Sequence, residues 1–212
     1  MSGSIIIPLF FIFIAFLCGA LPFSVWLGKL FVGLDVHTLG DGNPGAANAF
    51  RTGNRLVGLF VLILDVSKAA VPVGLAYFNL GVRGLPMFFI AIAPLLGHDF
   101  SPIMGFRGGK GLSTALGIWI GLTIWKASLA AVLAAVVGIA LFTPTGWAVM
   151  FALGGILLAL LFWLSNPLLL AVLLSQTLIL AWTHRRDLSH GPHIRPWLVQ
   201  RLRQGNGSAR HG

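Results

Sequence analysis

Glutamate is absent from this 212-residue sequence, and its five aspartates face fourteen lysines and arginines. Charged residues make up 9% of the chain, whereas soluble domains contain about 25%. The single cysteine, Cys18, excludes an internal disulfide and a cysteine-based metal cluster. Because it lies in an apolar run, we interpret Cys18 as a small buried side chain. We expect neither a metal ion nor a cofactor.

Apolar residues are what the sequence has in excess: 57% of the chain is hydrophobic, and its mean hydropathy is +0.93. This composition predicts an all-α integral membrane protein without a separate soluble domain. The net charge of +9 suits membrane lipid headgroups and anionic substrates. We expect no nucleic-acid partner, because the basic residues lie beside predicted spans and no soluble reading domain is present.

Hydrophobic runs separated by short breaks predict about seven transmembrane helices, some of them short. Their approximate bounds are 5–32, 56–80, 85–104, 111–125, 127–143, 147–164 and 167–183. Only Lys126 separates the fourth run from the fifth, so these runs can form two short helices or one long bent helix. A total of five or six spans is a further alternative. The first run is preceded by no positive segment, so we expect a retained span rather than a signal peptide.

The distribution of positive charge predicts the orientation in the membrane. Six arginines follow Ala181 and place that end in the cytoplasm: Arg185, Arg186, Arg195, Arg201, Arg203 and Arg210. Seven spans then put the N-terminus outside and the loops 33–55 and 105–110 inside. We expect a membrane domain over residues 1–189, a disordered basic tail over 190–212, and every polar cluster on the cytoplasmic face.

A glycine-rich segment, residues 97–114, is the main candidate for a functional site. Lys110 and Arg107 supply positive charge, and the glycines around Lys110 allow backbone N–H groups to converge on an anion: Gly108, Gly109 and Gly111. Ser113 and Thr114 begin the next predicted helix, where hydroxyl groups and the helix dipole favour an anion. We interpret the segment as a phosphate site; the alternative is a positively charged turn. It is not a P-loop, since positions 104 and 111 do not fit that motif.

A second polar segment, residues 40–51, contains three glycines, a proline and two asparagines. Asn43 and Asn48 can hydrogen-bond a polar ligand, and Arg51 can hold a phosphate with two parallel hydrogen bonds. The alternative is a turn-rich connector in which the asparagines bond to local backbone.

Ionisable residues also occur within and beside the predicted spans. Asp65 and Lys68 are three residues apart, so they share a helix face and can form an ion pair that braces the site. His184 ends the last span and His98 begins the central segment. Both can orient or move a proton, because histidine titrates near neutral pH.

Taken together, these segments resemble the acyl-phosphate:glycerol-3-phosphate acyltransferase family (the PlsY family) over about residues 17–189. The matching motifs are Gly19-Ala20-Leu21-Pro22-Phe23, Gly40 to Asn48 with Arg51, Leu64-Asp65 with Lys68, Gly97-His98 to Gly111 with Thr114, and His184-Arg185. The resemblance implies a bacterial inner-membrane enzyme that moves a fatty acyl group from acyl phosphate to the 1-hydroxyl of glycerol 3-phosphate. The product is lysophosphatidic acid, and neither acyl-CoA nor acyl carrier protein is the donor.

The resemblance also implies roles for individual residues. We assign catalytic roles to His184, Arg51, Lys110 and Asp41, and a structural role to the Asp65–Lys68 pair. We expect substrate binding by Gly42, Asn43, Gly45, Asn48, His98, Arg107, Gly108, Gly109, Gly111, Thr114 and Arg185.

The chain departs from the family pattern in two motifs. Asp41 stands where the family has serine, Ala47 replaces a threonine, and Asp187 replaces the asparagine of the third motif. A carboxylate beside a phosphate site is repulsive unless it is paired, for example with Arg186. One alternative is therefore a catalytically inactive member that acts as a partner in lipid synthesis.

Two other function classes share single features with the sequence. A transporter of a phosphorylated solute fits the intramembrane ion pair, but its polar residues should continue to the opposite membrane face. A CDP-lipid-dependent alcohol phosphatidyltransferase begins with Asp-Gly, as in Asp41-Gly42, but needs several carboxylates to hold a metal. The sequence contains no Asp-x3-Asp motif that could hold such a metal. The His-x4-Asp motif of acyl-CoA-dependent acyltransferases is also missing, because only three residues separate His37 from Asp41.

Overall fold

The computed structural model describes residues 5–198. Within that range the chain is mainly helical, as the composition predicts. The helices are Ile6–Ala20 (α1), Phe23–Val32 (α2), Ala46–Arg51 (α3), Arg55–Gly74 (α4), Gly84–Asp99 (α5), Leu112–Thr123 (α6), Lys126–Leu141 (α7), Thr145–Trp163 (α8), Pro167–Thr183 (α9) and Arg185–Leu188 (α10). A π-helical turn, Leu75–Asn79, continues α4, and 3₁₀ turns lie at Val36–Thr38 and Pro102–Met104.

Four of these segments are long and apolar enough to span a membrane: Ile6–Val32, Arg55–Asn79, Gly84–Met104 and Thr145–Trp163. Three shorter apolar helices accompany them: Leu112–Thr123, Lys126–Leu141 and Pro167–Thr183. The prediction of a multi-pass all-α membrane protein is confirmed. The count of seven spans and the orientation of the termini stay predictions.

The first predicted span, 5–32, is two helices rather than one. Proline disfavours helical backbone in the residue before it, and Leu21 accordingly adopts an extended conformation ahead of Pro22. The runs on either side of Lys126 are likewise two helices, because Ile124 takes a positive φ of 59° between α6 and α7. Both breaks expose backbone carbonyl groups to other partners.

Close helix packing in the bundle depends on small residues, as is usual where lipid removes the hydrophobic drive for association. Gly19 on α1 lies against the backbone of Pro94 on α5, and Gly97 on α5 lies against the backbone of Phe16. A Cβ at either glycine would overlap the facing backbone. The indole N–H of Trp119 on α6 donates to Gln176 Oε1 on α9 at 2.7 Å, in the buried centre of the bundle.

A short antiparallel ribbon forms between Phe142–Thr143 (β1) and His193–Ile194 (β2). The beginning of the predicted tail, residues 190–198, therefore has defined structure, and the indole N–H of Trp147 donates to the His190 carbonyl at 2.8 Å. Arg201, Arg203 and Arg210, on which the predicted orientation partly depends, lie outside the described residues.

Candidate active site

The two polar segments, 40–51 and 97–114, converge with His184 at one end of the bundle, around two adjoining cavities. The larger cavity, about 780 Å³, lies between the loop before α3, the loop between α5 and α6, and the start of α10. The smaller cavity, about 470 Å³, extends towards α3, α4 and α8. Five residues line both cavities and form the wall between them: Asp41, Asn43, Lys110, His184 and Asp187.

Lys110 stands at the centre of this wall, between two carboxylates. Its Nζ lies 3.0 Å from Asp41 Oδ2 and 3.3 Å from Asp187 Oδ2. The Thr183 hydroxyl donates to the Lys110 carbonyl at 3.2 Å and holds the backbone in place. Asp41 is paired with Lys110 and not with Arg186, which the sequence offered as an example of a partner. Asp187 was not among the predicted site residues, although its departure from the family motif was a signal that could have identified it.

Asp41 is held as an anion. Burial by itself would raise the pKa of the Asp41 carboxyl, but the hydrogen bonds from Lys110, the Asn43 N–H and Asn48 outweigh burial and lower the pKa overall. A carboxyl with a lowered pKa is a weak proton acceptor near neutral pH. The geometry favours a role in holding Lys110 over a role as a general base.

Asn48 organises the loop that carries Asp41. Its side-chain NH₂ faces the Leu39 carbonyl at 2.8 Å, Asp41 Oδ1 at 3.0 Å and the Asn43 carbonyl at 3.0 Å. The residue is 1% exposed, so its donors point into the loop rather than towards a ligand. Asn48 therefore fits the interpretation in which the asparagines bond to the local backbone better than the interpretation in which they contact substrate.

Arg51 ends α3 and lines the smaller cavity. Its guanidinium and the Asn48 amide lie against Gly40, whose φ of +55° and lack of a side chain make room for both. Within residues 5–198 Arg51 has no acidic partner. Its charge is therefore available to an anion in the cavity.

The glycine-rich loop differs from the expected ring of free amides. The N–H of Gly108 donates to the Asp99 carbonyl and the N–H of Gly109 to the His98 carbonyl, both at 3.1 Å. These two glycines let the loop lie directly on the end of α5, because a Cβ at Gly108 would overlap that backbone. Their N–H groups are thus occupied and do not converge on an anion as predicted.

The free amides lie slightly later in the chain. Gly111, with φ +77°, precedes α6 and gives its N-terminus no side-chain cap. The residues at this helix start, 110–113, all line the smaller cavity. An uncapped N-terminus of a 12-residue helix favours an anion through its N–H groups and its dipole.

The remaining predicted substrate residues divide into three groups. Gly42, Arg107 and Arg185 line the larger cavity, and Gly45 lines the smaller one. The guanidinium of Arg185 stacks on Trp182, 4.5 Å from the ring centre. Thr114 is fully buried and lines neither cavity, so its predicted contact with substrate is not supported by its position.

His184 is buried beside Lys110 and lines both cavities. Its Nδ1 lies 2.9 Å from the Leu180 carbonyl oxygen. A carbonyl only accepts, so Nδ1 carries the hydrogen and Nε2 carries a lone pair. Burial lowers the pKa of the imidazole, against the opposing effect of the Leu180 hydrogen bond. The ring is neutral near pH 7 and can accept a proton at Nε2.

His98 approaches the smaller cavity from α5 and is joined to the predicted ion pair. Lys68 Nζ lies 2.7 Å from Asp65 Oδ1 and 2.8 Å from His98 Nδ1. Among the residues with assigned positions, no group of three histidine, cysteine or acidic side chains could hold a metal ion.

Comparison with known proteins finds the same family by a sequence model and by individual relatives. A sequence model of the family described as glycerol-3-phosphate acyltransferase matches residues 9–191. A glycerol-3-phosphate acyltransferase of Anaeromyxobacter dehalogenans (strain 2CP-1 / ATCC BAA-258) is 44% identical over 115 residues, 53% of this chain and 57% of that protein. One of Coxiella burnetii (strain CbuG_Q212) is 41% identical over 116 residues, 55% of this chain and 60% of that protein. The chain thus spans less than two thirds of the length of these relatives.

The fold also matches solved structures. The crystal structure of PlsY (YgiH), an integral membrane glycerol 3-phosphate acyltransferase, in its glycerol 3-phosphate form superposes with a TM-score of 0.78. The match has 27% sequence identity and covers 86% of this chain and 90% of that one. The lysophosphatidic acid form of the same enzyme gives a TM-score of 0.76 at 26% identity, with the same coverage.

Proposed function

We infer the activity from one premise: this chain belongs to the glycerol-3-phosphate acyltransferase family. We propose that it transfers a fatty acyl group from acyl phosphate to the 1-hydroxyl of glycerol 3-phosphate. The products are lysophosphatidic acid and inorganic phosphate, in phospholipid synthesis. No covalent acyl-enzyme is required, because acyl phosphate is already activated.

The observation that carries this proposal is the position of Lys110 between two cavities of different character. The larger cavity has a basic rim, formed by Arg107, Arg185 and Arg186, which suits glycerol 3-phosphate. The smaller one combines Arg51 and the start of α6 with apolar side chains, which suits a phosphate joined to an acyl chain: Phe50, Leu62, Leu112 and Val149. Lys110 is within reach of a phosphate on either side.

The proposed reaction is a direct displacement. The 1-hydroxyl oxygen forms a bond to the acyl carbon, the bond from that carbon to the phosphate oxygen breaks, and the phosphate leaves with the electron pair. The hydroxyl proton passes to the lone pair of His184 Nε2 and then to the departing phosphate. Lys110, Arg51 and the α6 N-terminus stabilise the phosphate charge, and the cavities supply orientation.

We place the reaction at the cytoplasmic face of the bacterial inner membrane. The support is the sequence rule that positive charge concentrates on that side, together with the gathering of both cavities at one end of the bundle. Seven spans with the N-terminus outside agree with this placement.

A second candidate is an inactive family member that binds lipid precursors without acyl transfer. The ion pairs of Lys110 with Asp41 and Asp187 favour it, because both carboxylates compete with substrate phosphate. The transporter alternative is weaker, because the polar cavities that carry site residues lie at one end of the bundle.

The distinguishing experiment supplies purified protein in lipid with radiolabelled glycerol 3-phosphate and either palmitoyl phosphate or palmitoyl-CoA. We expect labelled lysophosphatidic acid from palmitoyl phosphate only. Product from palmitoyl-CoA would contradict the proposed donor. No product from either donor, with glycerol 3-phosphate binding retained, would establish the inactive alternative.

A further inference from the structure

Lys68 is surrounded by three acceptors inside the bundle. Its Nζ lies 2.7 Å from Asp65 Oδ1, 2.8 Å from His98 Nδ1 and 3.1 Å from the Leu21 carbonyl oxygen. The residue is 6% exposed. An ammonium group has three N–H donors and no acceptor, so each proton has one partner.

Each acceptor comes from a different part of the fold. Asp65 is one turn before Lys68 on α4, and His98 is at the end of α5. The Leu21 carbonyl is available because the first span breaks at Pro22, where the N–H of Val25 bonds to the Pro22 carbonyl instead. The ammonium is therefore fixed from three directions and cannot rotate without losing a hydrogen bond.

This arrangement determines where the hydrogen of His98 lies. Because the ammonium only donates, Nδ1 of His98 must present its lone pair, and the hydrogen of the neutral ring must be on Nε2. Nε2 lies against Gly109, where a Cβ would overlap it. It has no hydrogen-bond partner among the described residues, and His98 lines the smaller cavity.

We propose that Asp65 and Lys68 are positioning residues that hold His98 as its Nε2–H tautomer, so that it presents a fixed hydrogen-bond donor to an oxygen atom in the smaller cavity. The identity of that oxygen, on the phosphate or the acyl carbonyl of the donor substrate, rests on the proposed function. The tautomer itself does not.

The two buried histidines of the site are then complementary. The Leu180 carbonyl accepts from Nδ1–H of His184, which leaves a free lone pair on Nε2. Lys68 donates to the lone pair on Nδ1 of His98, which leaves the hydrogen on Nε2. His98 can donate but not accept in the cavity, and His184 can accept but not donate. The Asp65–Lys68 pair thus fixes His98 as a hydrogen-bond donor, and the Leu180 carbonyl fixes His184 as a proton acceptor.

The direct test is ¹⁵N NMR of the full chain labelled in histidine and reconstituted in lipid at pH 7.5. His98 is assigned by the signals that disappear in His98→Gln. We expect its Nδ1 to resonate as a nitrogen with a lone pair and its Nε2 as a protonated nitrogen. A protonated Nδ1 in the wild-type protein would overturn the proposal, and the variant serves only to assign the signals.

Variants test the cause of the tautomer. Lys68→Met should give His98 a mixture of tautomers, and Asp65→Asn a smaller change in the same direction. Gln176→Leu removes a buried hydrogen bond of similar depth that does not reach His98, so it should leave the tautomer unchanged. An unaltered His98 spectrum in Lys68→Met would show that the lysine does not set it.

Activity measurements separate this inference from the proposed function. In the acyl phosphate assay Lys68→Met should lower kcat at least ~10-fold, with KM changed much less, as expected for loss of a preorganised donor. The predicted tautomer without acyl transfer would reject the proposed activity alone. Acyl transfer with the opposite tautomer would reject the positioning role alone.

Discussion

Lys110 and Asp187 are 77 residues apart in sequence, yet Lys110 Nζ lies 3.3 Å from Asp187 Oδ2. With Asp41 on the other side of the ammonium, these ion pairs join the loop before α3, the loop between α5 and α6, and the short helix α10. A phosphate that binds Lys110 must share it with, or displace, two carboxylates. We therefore expect Asp41 and Asp187 to weaken the binding of phosphate at the proposed site.

Removing either carboxylate should strengthen phosphate binding. We expect Asp187→Asn and Asp41→Ser each to lower the KM for glycerol 3-phosphate about 2–5-fold, the range of a partly exposed ion pair. Initial rates at varied glycerol 3-phosphate give the KM values. Asp35→Asn is the matched control, because Asp35 is a partly exposed aspartate that itself lines neither cavity. Its partners are Lys29 and His37, of which His37 lines the larger cavity. A raised KM in both site variants would contradict the competition.

The pH dependence should report His184. Burial lowers the pKa of its imidazole below the ordinary value of about 6.5. Protonation of the ring therefore lowers the stability of the folded state. The stabilisation by the neutral ring is complete above the ordinary pKa and is lost as the pH falls through the lowered pKa. We expect kcat/KM to stay level down to about pH 6.5 and to fall below it.

His184→Gln removes the titrating group while keeping a polar side chain. The variant should lose most activity, and its residual rate should show no acid limb over the same pH range. An acid limb of unchanged position in His184→Gln would assign the titration to another residue. Rates from pH 5 to 8 with palmitoyl phosphate provide the comparison.

Gly109 offers a steric test of the loop on α5. A Cβ there would overlap His98 Nε2 and approach the Pro44 carbonyl oxygen to 2.8 Å. We expect Gly109→Ala to displace the loop and to abolish most activity while the protein remains folded.

Gly154 is the matched control for that substitution. It lies in the middle of α8 with open space where a Cβ would be. Gly154→Ala should keep full activity and raise stability by up to about 1 kcal/mol, because alanine favours helix over glycine. Thermal unfolding and acyl transfer measured on both variants check the pair, and an active Gly109→Ala would refute the steric argument.

Hydropathy and motif spacing predicted much of this architecture because both are local properties of the chain. The predicted start of the second span at 56 differs from the start of α4 by one residue, and the predicted last span, 167–183, coincides with α9. The break at Pro22 follows from the backbone restriction that proline imposes on Leu21. Span count and sidedness depend on the membrane and stay predictions.

The electrostatics of the site could not be predicted in the same way. The second partner of Lys110 comes from a segment 77 residues away, and its distance depends on how α6, α8 and α9 pack. The hydrogen bonds from the Gly108 and Gly109 N–H groups to carbonyl groups of α5 likewise depend on close packing. The sequence predicted that the Gly108 and Gly109 amides bind an anion, whereas in the structure they bond to the carbonyl groups at the end of α5.

If Lys110 binds substrate phosphate during acyl transfer, its ammonium group is required for activity, and one pair of variants tests this requirement. Lys110→Met removes the ammonium from the wall between the cavities, whereas Lys126→Met removes an exposed lysine at the start of α7 that lines neither cavity. With palmitoyl phosphate and glycerol 3-phosphate, we expect kcat/KM to fall at least ~100-fold in Lys110→Met and to stay within twofold of wild type in Lys126→Met. Equal activity of the two folded variants would show that Lys110 does not bind the substrate phosphate.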